Sequence, residues 1–148
     1  MTAHPRRLQT YATDTITVTF DPTRCIHAAE CIRTAPAVFD SRRLRWIKPE
    51  LGDAELIETA VRRCPTGALA YSLPSGVAES PDAPSIRAAP NGPLYVRGDA
   101  RVEAEDGRVI ATGLRIALCR CGATKNAPFC DGSHRMTGFR DSPDGAGV

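Results

Sequence analysis

Three cysteines and a histidine fall within "CRCGATKNAPFCDGSH", Cys119 to His134, in a 148-residue chain that holds six cysteines and three histidines. The spacing is Cys119-x-Cys121-x8-Cys130-x3-His134. Two residues separated by one on an extended segment put their thiols on the same side, about 7 Å apart along the chain. Cys130 and His134 are one helical turn apart and face the same way if a helix starts there, with Asp131 as its N-cap and Gly132 easing the turn. Four soft donors so arranged make a compact metal site. A Cys3His zinc site uses the same donors, although paired zinc cysteines usually have two to four residues between them and this pair has one. Ligand softness also suits an iron–sulfur cluster, so both metals stay open on spacing alone.

The other three cysteines lie upstream, as Cys25-x5-Cys31 and, after 32 further residues, Cys64-Pro65. Three scattered cysteines are ordinarily buried thiols. Ala28 sits midway between Cys25 and Cys31, with His27 beside it.

The elements that must carry these groups are short. Thr15–Phe20 alternates β-branched or aromatic residues with threonine, a strand pattern ended by Asp21-Pro22. Residues 25–34 suit a short helix stopped before Pro36, and Leu44–Lys48 a second short strand. Asp53 caps a helix over 54–63, in which Leu56, Ile57, Ala60 and Val61 recur at helical spacing. Cys64-Pro65 closes it, and Gly67–Leu73 returns as a strand. From 74 to 93 five prolines stand among Ser, Ala and Gly, which reads as an extended linker. Beyond it, alternating runs flank Asp106-Gly107, a hairpin signal, and the last run leads into Cys119. The expected class is α+β: a leader over 1–14, a small domain over 15–73, a linker over 74–93, a β-rich domain over 94–140 and a frayed tail over 141–148.

Composition limits the function. Hydrophobic residues make up 42% and charged residues 24%, an ordinary globular balance, while aromatics are only 5%. Small cores of this kind are commonly completed by metal. Ten basic residues face eight acidic ones up to residue 74, and nine face nine beyond it, so neither half has the positive field of a nucleic-acid binder. No stretch approaches the roughly 20 apolar residues of a membrane span, and the N-terminus lacks a signal-peptide core. A cytoplasmic protein with reduced thiols is expected, in which six cysteines point to metal or redox chemistry. Gly-rich phosphate loops, Ser–His–Asp sets and paired catalytic carboxylates are not evident, so the chain does not read as an enzyme.

Cys119-x-Cys121-x2-Thr124-x3-Pro128-x-Cys130-Asp131-Gly132-Ser133-His134 resembles the complete signature of the CDGSH-type, or NEET, iron–sulfur domain. The resemblance implies a [2Fe-2S] cluster with Cys119 and Cys121 on one iron, Cys130 and His134 on the other, and a β-rich scaffold that is commonly a homodimer. Membrane-anchored members carry an N-terminal helix, whose place is taken here by another domain. "CIHAAECIRTAPAVFD … CPTGAL" resembles single-cluster ferredoxins and the divergent mono-cluster ferredoxin domain, over about residues 15–73. Bacterial ferredoxins place a cysteine where Ala28 stands. This implies a [3Fe-4S] cluster on Cys25, Cys31 and Cys64, or a [4Fe-4S] cluster whose fourth iron takes another ligand, for which His27 is the candidate.

The two resemblances together imply a ferredoxin-like domain joined to a CDGSH domain. Its expected work is one-electron exchange with a soluble redox partner, or donation of a labile histidine-ligated cluster to an apo-acceptor and sensing of redox state or pH. Ser133 and Lys125 are candidate donors to sulfur or to His134. Trp46 reads as core. Arg42, Arg43 and Arg45 read as a solvated basic face that could also meet an acidic partner.

Overall fold

The computed structural model describes residues 8–141. These divide into two compact units: one runs to Cys64 and adds Ala68–Glu79, and the other comprises Pro65–Gly67 and the chain from Ser80 onward. Each is a small antiparallel three-stranded sheet with short helices, an α+β class.

In the first unit the threonine alternation forms β2 (Thr17–Phe20), with Val18 and Phe20 buried. β1 (Gln9–Ala12) and β3 (Leu69–Ser72) flank it, and Val18 lies opposite both Tyr11 and Tyr71. β1 is built from residues expected to be leader. Its pattern is nearly all exposed, so no apolar alternation announces it, and pairing to β2 orders it. Residues 1–7 of that leader, with Arg6 and Arg7, lie outside the described residues.

α1 (Glu30–Thr34) is only the last turn of the helix expected over 25–34. His27 and Ala29 have φ of 59° and 63°, left-handed values that end any helix reaching back to Cys25. α2 (Ala54–Arg62) forms as expected, with Asp53 Oδ1 accepting from the Leu56 N–H at 2.8 Å. It buries Ile57, Ala60 and Val61 against Ile16, Val18, Phe39, Ile47 and Leu69.

Leu44–Lys48 makes no strand, only one bridge between Phe39 and Ile47. The Lys48 N–H bonds Val38 O and the Asp40 N–H bonds Trp46 O, and the Arg43 guanidinium bonds the same two carbonyls and Ala37 O, bracing the loop. Trp46 is core-packed as expected, its ring edge-on to Phe20 with centroids 4.9 Å apart.

The expected linker over 74–93 is partly sheet. Ala78 bridges to Ser72, and β4 (Ser85–Ala88) pairs with β5 (Leu94–Glu103), Ile86 opposite Val96. An edge strand tolerates flanking prolines because half its backbone groups pair with nothing, and this disguises it in the sequence. β5 and β6 (Val109–Leu118) form the hairpin around Asp106-Gly107, closed by the Ala104 N–H to Arg108 O at 2.8 Å. The two runs read before the hairpin are one strand with a register shift between Arg97 and Ala100. Gly98, at φ 105°, allows that bend, and a Cβ there would lie 3.0 Å from Pro84 Cα.

The buried cluster of the second unit is small: Ala111, Ile116 and Phe129, with Val96, Val102 and Leu118 against them. α3 (His134–Thr137) is a single turn. Among the described residues no helix is long and apolar enough to cross a membrane.

Candidate metal centres

In the first unit, Cys25 stands in the irregular loop before α1, Cys31 inside α1, and Cys64 two residues past the end of α2. All three pack against the main core and stay partly exposed. Two residues of the loop, His27 and Ala29, are left-handed, and the backbone N–H of His27 donates to Cys25 Sγ at 3.4 Å.

Cys25 and Cys31 both feel the charge of Cys64. Burial, and then the neighbouring Cys64, push Cys31 up to about 11. Burial raises Cys25 too, opposed by the His27 N–H and reinforced by Cys64. Cys25 and Cys31 resist ionising beside Cys64, and a metal reverses this by replacing thiol protons with positive charge. Cys25 and Cys31 wall a cavity of about 650 Å³ shared with Phe20, Ile32, Arg43 and Trp46. His27 lines it as well, and its side chain is exposed. Ala28, in the middle slot, brings no donor.

The charges expected to form a basic face are largely paired. Arg42 bonds Asp40, whose carboxyl is held down to about 2 chiefly by Arg42, and Arg45 meets Glu50.

In the second unit, β6 runs straight into Cys119. The strand pairing continues past its end: the Cys119 N–H bonds Pro128 O and the Cys130 N–H bonds Ala117 O, both at 2.9 Å. This brings together cysteines eleven positions apart in sequence. Thr124 Oγ1, bonded to Phe129 O at 2.7 Å, folds the intervening loop. Asp131 Oδ2 accepts from the Lys125 N–H and its Oδ1 from the Ser133 N–H and hydroxyl.

Asp131 was expected to cap a helix at Cys130. The helix starts instead at His134, and Asp131 makes a side-chain turn before it, with Gly132 at φ 89° completing the bend. Ser133 spends its hydroxyl on Asp131, and Lys125 contributes its backbone while its side chain stays exposed.

Cys119 Sγ and Cys121 Sγ lie 3.7 Å apart, and Cys130 Sγ and His134 Nδ1 lie 3.5 Å apart. Two thiolates on one tetrahedral metal, each about 2.3 Å from it, are about 3.8 Å apart; a thiolate and an imidazole are about 3.6 Å apart. Each pair therefore has the edge length of a single metal. Among the described residues no three His, Cys, Asp or Glu side chains close on one ion.

Backbone N–H groups face the sulfurs: Gly122 to Cys119 at 3.3 Å, Ala123 to Cys121 at 3.4 Å, Gly132 to Cys130 at 3.4 Å. At Cys119 burial pushes upward but the donors, Gly122 first, outweigh it and lower the thiol. Cys130 is raised, by burial and by the nearby Cys119. His134 is lowered, by burial and then Arg135, with Asp131 opposing, so the fold favours the neutral imidazole that can bind metal.

One group in this unit escaped the sequence reading. Arg120, between the two paired cysteines, bonds Gly92 O and Ala89 O and meets Asp141 at 2.8 Å. Asp141 was expected in a frayed tail; its side chain is 4% exposed. Asn91-Gly92-Pro93 signals the turn, but nothing local tells that a distant arginine holds it.

Two families of known proteins match the chain, one after the other. Residues 11–74 match the family described as "Divergent 4Fe-4S mono-cluster". Residues 91–135 match "Iron-binding zinc finger CDGSH type". "Uncharacterized protein YjdI" of Escherichia coli K12 is 33% identical over 61 residues, covering 41% of this chain and 80% of YjdI. Its counterpart in Escherichia coli O157:H7 matches to the same extent.

Proposed function

The chain belongs to the divergent 4Fe-4S mono-cluster family and continues into a CDGSH-type iron-binding domain, and from that premise we propose a two-cluster carrier of single electrons serving a soluble oxidoreductase partner. Cys25, Cys31 and Cys64 hold a [3Fe-4S] or [4Fe-4S] cluster, and Cys119, Cys121, Cys130 and His134 hold a [2Fe-2S] cluster. The clusters supply the one-electron chemistry when bound. The donor sets fit them: three soft thiols packed on a core, and two donor pairs each spaced for one tetrahedral metal.

The observation that carries the reading is the surface placement of most of the sulfurs. Five of the six cysteines are partly exposed, while the chain around them is fixed by a core or by hydrogen bonds. Such a site can pass an electron to a docked partner with little rearrangement. Backbone N–H groups on Cys25, Cys119, Cys121 and Cys130 spread negative charge and favour the reduced state. The neutral His134 does the same relative to a fourth thiolate. Ala28 brings no ligand to one corner, and His27, which lines the same cavity as Cys25 and Cys31, is the candidate there; a [4Fe-4S] cluster would use it and a [3Fe-4S] cluster would not.

A second reading is supported by His134, a ligand that a proton can displace. It makes the second cluster labile, suited to transfer to an apo-acceptor or to sensing of pH and redox state. The two readings separate when loaded protein is mixed anaerobically with a ferredoxin reductase and, in parallel, with an apo-ferredoxin. Rapid reversible reduction with both clusters retained supports the carrier. Transfer of the [2Fe-2S] cluster faster than its reduction supports the second reading and sinks the first.

A further inference from the structure

We propose that Arg120 and the C-terminal segment 139–141 form a clasp over the second site, and that opening this clasp is the step that lets its cluster leave. The inference rests on Cys119, Cys121, Cys130 and His134 being the cluster's ligands.

Arg120 fills the single position between Cys119 and Cys121, so its backbone moves with two of the thiols. Its guanidinium holds three groups at once: Nε donates to Gly92 O at 2.7 Å, and Nη2 donates to Ala89 O at 2.5 Å and to Asp141 Oδ2 at 2.8 Å. Asp141 then grips the same turn. Its Oδ2 accepts from the Asn91 N–H at 2.9 Å, and its own N–H donates to Asn91 Oδ1 at 3.1 Å. The Phe139 ring lies against the guanidinium, 5.6 Å from centroid to Cζ. Three segments distant in sequence are thereby closed into one polar knot.

The knot lies beside the histidine. A Cβ placed on Gly92 would sit 3.7 Å from His134 Nε2, so the 89–92 turn comes close to the ring nitrogen opposite the Nδ1 that faces Cys130. Of the two donor pairs, the thiol–imidazole pair is the one a water molecule or an incoming thiol can displace at least cost, because imidazole binds as a neutral ligand. The turn stands over the ligand whose departure would begin release.

Arg120 and Asp141 are mostly shielded from water, at 19% and 4% side-chain exposure, so loss of either partner removes a charge-assisted bond from a largely buried group. Both bond the same 89–92 turn, so loosening either loosens that turn. Arg120 and Asp141 act as positioning residues and touch no metal in this scheme.

The test uses the full chain carrying both clusters, as wild type and as Asp141→Asn and Arg120→Lys, incubated with an apo-ferredoxin and, separately, with an iron chelator. Loss of the [2Fe-2S] cluster is followed by its visible circular dichroism. Both variants are expected to lose it roughly 10-fold faster, the lower range for removing a group that supports a metal ligand. The first-unit cluster, as internal control, keeps its wild-type lifetime. Amide hydrogen exchange at Asn91 and Gly92 should quicken in step, and nitrogen coupling from ¹⁵N-labelled histidine should persist, showing that His134 still binds while the turn is loose. Faster exchange with an unchanged rate of cluster loss would overturn the proposal, as would unchanged exchange in both variants. Wild-type protein that carries no cluster at Cys119–His134 would overturn the ligand assignment instead, and the clasp's role with it.

Discussion

The two metal centres are held by opposite means. In the first unit, Cys25, Cys31 and Cys64 lean on a hydrophobic core that runs from Ile16 to Tyr71, and the His27 N–H faces Cys25 Sγ. In the second, the buried apolar cluster is only Ala111, Ile116 and Phe129, but three backbone N–H groups face sulfurs and Thr124, Asp131 and Ser133 lace the loop. The electrostatics follow. Burial and the neighbouring Cys64 raise the thiols of Cys25 and Cys31, whereas in the second unit donors lower Cys119 while burial still raises Cys130. A core brings thiols together without easing their ionisation; a hydrogen-bonded loop eases it at the sulfur where the donors outweigh burial.

The largest way to break this symmetry is to remove a ligand. Cys130→Ser should abolish the [2Fe-2S] signal and leave the first cluster at wild-type occupancy, whereas Cys31→Ser should do the reverse. Iron and sulfide analysis with paramagnetic resonance on each variant checks this, and loss of both clusters from one substitution would contradict it. Next comes the core. Phe39→Ala, at a side chain 0% exposed, should destabilise the first unit by about 3–5 kcal/mol and spare the second. Urea unfolding followed by Trp46 fluorescence reports the first unit and amide exchange the second.

The acid response sharpens the contrast. His134 is neutral in the fold, and its lowered pKa keeps it so until the pH falls below the ordinary histidine range. Folded-state depression means that the proton is bound less readily than in the unfolded chain, so retention is fullest at neutral pH and is lost as the pH drops. Loss of the second cluster should therefore accelerate on acidification, and His134→Cys should flatten that profile. Equal acid sensitivity in the variant would refute ligation through His134.

The smallest effect is expected at Ala29. Its φ of 63° costs an L-residue about 1–2 kcal/mol that glycine does not pay. Ala29→Gly should raise the apo stability of the first unit by about 1 kcal/mol, an amount also offset by glycine's greater freedom when unfolded. A thermal melt of the apo protein measures it.

Much of this was legible in the sequence because it is local. Asp53 and the spacing of Ile57, Ala60 and Val61 announce α2, Asp106-Gly107 announces the hairpin, and the cysteine motifs point to the two families that match. What stayed hidden depends on distant partners. β1 and β4 are edge strands whose order comes from β2 and β5, not from their own patterns. The left-handed His27 and Ala29 give no local sign, since neither is glycine, and so a helix was expected across them. Arg43 braces the bridge between Phe39 and Ile47 through the carbonyls of Val38 and Trp46, and Arg120 fastens a turn 28 residues away. Arginines that satisfy backbone carbonyls read in a sequence as ordinary surface charge.

The most direct test of two differently held clusters is iron, sulfide and zinc analysis of anaerobically purified protein, with paramagnetic resonance before and after reduction. The account predicts iron and sulfide at both sites without stoichiometric zinc: a three- or four-iron signature from the first unit and a [2Fe-2S] signal on reduction from the second. Stoichiometric zinc at Cys119–His134, or a first unit with no iron, would contradict it.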